Sequence, residues 1–329
     1  MNLSATEITV WDRLKARAKH ALSGSRGDVV FKGLTLSVTL CILALAALMV
    51  SEVVAGARES IRTFGVFGFL SSTAWNPVTK EFGALHVIVG TLVSSFIAVL
   101  LAVPVALGIA IFVTQMAPPR IGGAIAFLID ILAAIPSIVY GLWGFFVMVP
   151  WIRSSLGPFL IGHLGWLPLF RGPSFGVSVL AAGFILAVMI IPIISAVARE
   201  VISQVPQAQK EGMIALGATS WDTIWRVVLP YARAGILGAV ILGLARALGE
   251  TMAVTMIIGN AHRLTWSLLQ PNSTMASIIA NEFTEATYTL YISALIHVGL
   301  VLMVIALIVN VLARLLVWSV ARAPAGEVR

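Results

Sequence analysis

The chain has 329 residues, 59% of them apolar and 11% charged, with a formal net charge of +7 and a mean hydropathy of +1.01. A soluble domain needs far more polar surface, so this composition excludes ordinary soluble classes and points to a polytopic membrane protein. The single cysteine, Cys41, lies in an apolar stretch, which excludes a disulfide framework and a cysteine-built metal site.

Residues 1–33 form a polar N-terminal segment. Within it, residues 5–22 place Trp11, Leu14, Ala18 and Leu22 along one helical side, with Arg13, Lys15, Arg17 and Lys19 mostly elsewhere. That pattern suits a helix lying on an anionic membrane surface; a solvated tail is the alternative. The apolar run that follows is too long, and begins too deep in the chain, for a cleavable signal peptide. It is expected to stay in the mature protein.

A hydrocarbon core of ~30 Å takes roughly 20 apolar helical residues to cross. Six stretches qualify: 34–55, 85–115, 123–150, 176–198, 234–259 and 290–318. The expected fold is all-α, with six transmembrane helices over residues 34–318 and a short tail at 319–329. No internal repeat is visible, and no soluble domain fits between the spans.

Basic residues set the orientation. Fourteen Lys and Arg fall in the N-terminal segment, the loops after spans two and four, and the C-terminal end; six fall on the opposite side. By the positive-inside rule both termini are cytoplasmic. The excess of basic charge is then topological, which removes the argument for nucleic acid.

Span by span, several polar features stand out. The first external loop, 56–84, is rich in aromatics (Phe64, Phe67, Phe69, Trp75, Phe82). These suit interfacial anchors or a docking surface for an external partner, and both readings stay open. Pro104, Pro136 and Pro192 fall inside spans two, three and four and predict kinked helices. The loop 151–175 is expected to be external and irregular. Asp130 lies near the inner boundary of span three, where a structural or interfacial role is the leading reading.

Residues 199–233 carry the charge of an inside loop and the pattern of two short helices. Pro206 can begin the first, which runs through Lys210 and Glu211 to Leu216, with Gly217 as its stop. Thr219 and Asp222 form a capping-box pattern for the second. That helix repeats Trp221, Ile224, Trp225 and Val228 on one face, and Leu229-Pro230 ends it or re-aims it into span five. In span five, Gly235, Ala239, Gly243 and Ala247 recur every four residues, a small-residue stripe for close helix packing. Arg246 and Glu250, also four apart, must face a partner helix or a polar path, because an unpaired charge there is costly.

The spacing from Glu211 through Gly217 to Leu229-Pro230 resembles the EAA loop of ABC importer permeases, with Gly212 and Met213 where the family has two alanines. The string LARALGETMAV (244–254), together with residues 82–112, is similar to the membrane subunits of phosphate-specific ABC importers of the PstC type. The resemblance covers nearly the whole chain. It implies that Glu211, Gly212, Ala215, Gly217, Trp221, Leu229 and Pro230 couple the chain to an ATP-binding cassette ATPase dimer. It further implies a bacterial plasma (inner) membrane location, a second homologous permease subunit and an external phosphate-binding protein.

Within that family reading, Arg246, Glu250 and Thr251 line the path for inorganic phosphate. Arg pairs bidentately with phosphate oxygens, and a carboxylate can accept a proton that phosphate carries and sulfate lacks. The competing view is an Arg–Glu salt bridge locking span five against the partner permease. The chain contains no Gly-Lys dipeptide, hence no P-loop. It is therefore expected to bind no cofactor, to be non-catalytic, and to use ATP through its partner. The five histidines lack metal-ligand spacing, and His297 reads as a packed or polar-glue residue. Rival functions are a sulfate or molybdate permease and a proton-coupled secondary anion carrier.

Overall fold

The computed structural model describes residues 26–322; the possible surface helix at 5–22 lies outside them. Helix α1 (Arg26–Gly56) is a unit by itself up to Ala55, and the chain from Gly56 forms a second. None of α1's described side chains is buried. Its hydroxyls bond back to carbonyls of the same helix, as Thr35 Oγ1 does to Phe31 O at 2.8 Å and Thr39 Oγ1 to Thr35 O at 2.8 Å. Each of these hydroxyls thus has the acceptor that lipid cannot supply.

In the second unit, α2 (Arg58–Phe64) and α3 (Val66–Ser71) lead into a small hairpin. There β1 (Trp75–Asn76) pairs antiparallel with β2 (Glu81–Phe82), Trp75 opposite Phe82. Next come α4 (Leu85–Met116), α5 (Pro119–Ala134), α6 (Ser137–Leu164), α7 (Val179–Ser203) and α8 (Gln207–Ala215). Helix α9 (Ser220–Leu248) is followed by α10 (Met252–Ile257), α11 (Met275–Glu282) and α12 (Thr289–Arg322). Helices α1, α4, α6, α7, α9 and α12 are the six long and apolar enough to cross a membrane. The expected all-α, six-span architecture is present.

Helix α7 is the centre of this unit. It buries Ala182, Leu186, Ile190, Ile194, Ala198 and Ile202. Against it α4 sets Ala98, Ala102, Ala106 and Ala110, all fully buried and four residues apart. The stripe expected on span five packs here too. A side chain at Gly243 would meet Ile194 Cγ1 at 2.6 Å, and one at Gly235 would collide with Val201. Lipid is as apolar as leucine, so close packing of small residues, not water exclusion, holds these helices together.

At four places a local widening of the helix precedes a proline. The π-turns Phe112–Met116, Gly144–Met148, Ile152–Leu156 and Ile224–Val228 each end two residues before a proline, at Pro118, Pro150, Pro158 and Pro230. A proline ring clashes with the carbonyl four residues back. Those carbonyls, of Thr114, Phe146, Ser154 and Arg226, all lie within the π-turns; at the last three the helix opens by one residue and continues, while after Met116 it ends, with Ala117 and Pro118 extended. Leu229-Pro230 therefore does not end the second loop helix. It runs on unbroken into span five.

Three expected boundaries are corrected. Residues 123–150 are not one span: the backbone is extended at Ile135 and Pro136 (ψ 129° and 140°), as steric pressure on the residue before proline predicts. The spanning helix starts after that break and runs to Leu164, so the first part of the supposed loop 151–175 is helical. Tyr140 Oη donates to Leu132 O at 2.8 Å, satisfying a carbonyl at the end of α5. Residues 234–259 are also interrupted, at Gly249-Glu250-Thr251, between α9 and α10. At the C-terminal end α12 reaches Arg322, past the expected start of the tail.

Candidate translocation site and docking loop

The loop 199–233 forms from strictly local signals. Pro206 caps α8, and after Leu216 the backbone of Gly217 turns left-handed (φ +86°). Gly217 N–H then donates to Ile214 O at 2.9 Å and Ala218 N–H to Met213 O at 3.3 Å, the pair of bonds of a Schellman stop. Thr219 Oγ1 accepts Asp222 N–H at 3.2 Å, and Asp222 Oδ2 accepts Thr219 N–H at 3.3 Å. The expected capping box is thus in place and starts α9.

What the loop presents is apolar and uncovered. Glu211, Gly212 and Ala215 are exposed, as are Ile214, Leu216 (86%), Trp221 and Trp225. Trp221 and Trp225 stack edge to face at 5.7 Å. Beside them a cleft of about 250 Å³ is lined by Thr114, Gln115, Gln207, Lys210, Ile214 and Ser220, among others. Hydrophobic side chains around a polar cleft make a surface suited to a partner protein.

At the far end of α9 stands the charge pair. Arg246 is in the last turn, where a cation favours the helix dipole. Glu250 lies beyond the helix end, in the break. Its Oε2 is 3.5 Å from Arg246 Nη2, and its Oε1 accepts Ala253 N–H at 3.4 Å. The two side chains differ in access: Glu250 is 5% exposed, Arg246 51%. Thr251, in the same break, donates from Oγ1 to Gly249 O at 3.4 Å. The arrangement is a buried carboxylate set against a half-exposed guanidinium. Non-helical backbone at membrane depth is tolerated where it lines protein or a wet cavity.

Other polar residues resolve differently. Asp130 pairs with Arg199, whose Nη2 is 3.1 Å from Oδ1 and 3.4 Å from Oδ2, tying α5 to the end of α7. The sequence placed Arg199 only in a charge count. His297 is indeed glue: its Nδ1 is 3.0 Å from Ser60 Oγ and its ring stacks on Phe69 at 4.0 Å. In the aromatic loop, Phe69, Trp75 and Phe82 are buried in a core with Tyr291 and Val298. Neither lipid anchoring nor docking describes these three; Phe67 alone of the five is exposed as a large hydrophobic.

One cluster had no sequence signal at all. Glu282, at the end of α11, accepts Trp75 Nε1–H at 2.6 Å and Tyr291 Oη–H at 2.7 Å on Oε2, while His262 Nε2 lies 3.0 Å from Oε1. Burial raises the Glu282 carboxyl's pKa, but the bonds from His262, Tyr291 and Trp75 together bring it below the ordinary value. Trp75 is 207 residues away, too far for any pattern in the chain to link them.

Residues 84–322 match the family model of the binding-protein-dependent transport system inner membrane component. A relative named phosphate transport system permease protein PstC, from Mesorhizobium japonicum, is 44% identical over 87% of this chain and 89% of that protein. The protein of the same name from Xylella fastidiosa is 47% identical over 92% and 94%. The chain belongs to this family. Among solved structures, a chain of the inward-facing MetNI methionine ABC transporter shares the fold, with a TM-score of 0.57 at 17% identity, covering 76% of this chain and 100% of that one. In this permease the matched region runs from just before α4 to the end of α12. It contains both the loop and the charge pair.

Proposed function

We propose that this permease is the membrane subunit of an ATP-driven importer that carries inorganic phosphate into the bacterial cytoplasm. The observation that carries the reading is one unbroken helix, α9, with an uncovered apolar docking face at its start and the Arg246–Glu250 pair at its end. From Trp225 to Arg246 it spans ~32 Å at the ordinary helical rise, about the depth of a bilayer core. A displacement at the loop reaches the pair through a single rigid element.

The docking face, with Glu211, Gly212, Ala215, Gly217 and Trp221, receives an ATP-binding cassette ATPase dimer in the cytoplasm. Both termini are cytoplasmic, as the distribution of Lys and Arg supports. A second homologous permease subunit completes the path, and an external phosphate-binding protein delivers the anion. The chain itself hydrolyses nothing.

At the break, phosphate exchanges for Glu250 as the partner of Arg246. The guanidinium offers planar paired donors to two phosphate oxygens. The carboxylate accepts a P–O–H proton, a bond that sulfate cannot make at neutral pH. Without phosphate, the Arg246–Glu250 bridge re-forms and closes the path. The 44–47% identity to permeases named for phosphate transport supports this choice of anion.

The test is reconstitution with the ATPase, the second permease and binding proteins for each anion. ATP hydrolysis and uptake are measured against phosphate, sulfate and molybdate. Phosphate should stimulate both; stimulation by sulfate alone overturns the assignment. Normal phosphate uptake in both Arg246→Lys and Glu250→Gln would remove the pair from the path.

A further inference from the structure

We infer that Glu282, together with His262, is a positioning residue that holds the mouth of the path closed on the side away from the docking loop. The inference rests on the importer reading above for its direction, because a path loaded from outside must open on that side. Its structural basis is separate from Arg246 and Glu250.

One buried carboxylate gathers three separate elements. Trp75 belongs to β1, Tyr291 to α12 and His262 to the segment between α10 and α11, and all three bond the same side chain at 2.6 Å, 2.7 Å and 3.0 Å. An aromatic cluster of this kind, with Phe82 5.0 Å from Trp75 and 5.3 Å from Tyr291 by ring centroids, packs without an acid. An ionised acid at its centre makes closure depend on one group. When that group lets go, three donors lose their acceptor together.

The tie reaches the gate through a short stretch of chain. Glu250 accepts Ala253 N–H in the first turn of α10, and the backbone then passes Gly259 (φ +92°) and Asn260 (φ +50°) to reach His262. Around that bend, Asn272 N–H donates to Ile258 O at 3.2 Å and Ala261 N–H to Asn272 O at 3.2 Å. The segment is thus clipped at its base and again farther along, where Leu268 N–H donates to Leu169 O at 2.8 Å and Leu180 N–H to Leu268 O at 2.9 Å; between these clips His262 ties it to Glu282. A second observation marks the cluster as one with another arrangement available. His86, fully buried at the start of α4, has no hydrogen-bond partner for either ring nitrogen among the described residues. Its ring lies edge-on, 5.9 Å from His262 and 6.2 Å from Trp75. In this inference the buried imidazole is the second hold for the released segment.

The experiment uses the assembled transporter in lipid, with Glu282→Gln and, as a milder change at a more exposed position, His262→Ala. ATP hydrolysis is measured without binding protein and without any anion. Amide exchange is measured over residues 259–274 and, as a control, over 207–228. Both variants should raise the unstimulated ATPase by roughly threefold to tenfold, the population shift expected on losing one such bond. Exchange should quicken over 259–274 and stay unchanged over 207–228. Faster exchange with unchanged or lower ATPase makes Glu282 a purely structural tie and overturns the inference. Equal quickening in both segments means general loosening and also overturns it. The two readings fail separately: a transporter unmoved by phosphate but activated by Glu282→Gln keeps this inference and loses the substrate.

Discussion

Glu250 Oε2 lies 3.5 Å from Arg246 Nη2 across the point where α9 stops, with the acid 5% and the arginine 51% exposed. An ordinary i,i+4 pair on a helix surface leaves both partners wet and contributes little. Here the chain ends its helix between the two charges, so the acid is held by its own backbone turn and the arginine points outward.

That geometry separates the two substitutions. Arg246→Lys keeps the charge and loses the paired donors, and phosphate uptake should fall by about tenfold or more. Glu250→Gln keeps an oxygen for Ala253 N–H, so the turn should persist and the protein should purify normally. Uptake should fall while the anion preference broadens towards sulfate, as competition assays would read out. A Gln variant with unchanged discrimination would contradict the role given to the carboxylate.

Two glycines on α9 make a matched pair of stability probes. Gly243→Val drives a side chain into Ile194 on the central helix, and overpacking of this kind costs ~1–3 kcal/mol. Gly238→Ala meets nothing within 4 Å and should gain up to ~1 kcal/mol through helix propensity. Thermal unfolding in detergent should move in opposite directions. Equal shifts would mean that the stripe does not carry the packing.

Pro230→Ala removes the clash that holds Ile224–Val228 in a π-turn. The helix can then close to ordinary winding, which turns everything before it by about 100°. The protein should be at least as stable, yet the docking face would point away from its partner. Stimulated ATPase in the reconstituted complex should drop severalfold with the basal rate retained. Full stimulation would show that the loop tolerates rotation.

Gly212 offers the reverse change. Among the described residues nothing beyond the helix's own backbone lies within 4 Å of the position a Cβ would take, so Gly212→Ala restores the family's alanine and should strengthen α8 by up to ~1 kcal/mol. If the ATPase packs directly on this spot, coupling should weaken while stability rises. Binding of the purified ATPase measures the first and unfolding the second.

Acid should act through Glu282. Its folded pKa lies below the ordinary 4.5, so the folded state binds fewer protons than the unfolded one as pH falls. The stabilisation is fully present above the ordinary value and is lost as pH drops through the lowered one. Below about pH 4.5, melting temperature should decline more steeply in the wild type than in Glu282→Gln. Parallel curves would mean that the three bonds do not survive in solution.

How much of this was legible in the chain depends on range. Gly217 as a stop, Thr219 with Asp222 as a start, and the stripe from Gly235 to Ala247 were all readable, because each signal lies within one or two helical turns. Prolines were readable as perturbations but not as outcomes. Pro136 splits a span, Pro230 yields a π-turn, and Pro104 and Pro192 sit inside continuous helices. The ring's clash is the same each time; whether a helix breaks, widens or absorbs it depends on which neighbours receive the displaced carbonyls.

The sequence by itself determined the class, the number of spans, the two short helices of the loop 199–233 and the presence of an Arg–Glu pair at the end of span five, since hydropathy, capping and charge cost act locally. The tertiary structure alone decided that α9 ends at Leu248, which puts Glu250 in a turn and leaves Arg246 half open. It alone joined Asp130 to Arg199 across 69 residues and Glu282 to Trp75 across 207. A buried carboxylate must find its donors wherever packing brings them, and no spacing along the chain records that meeting.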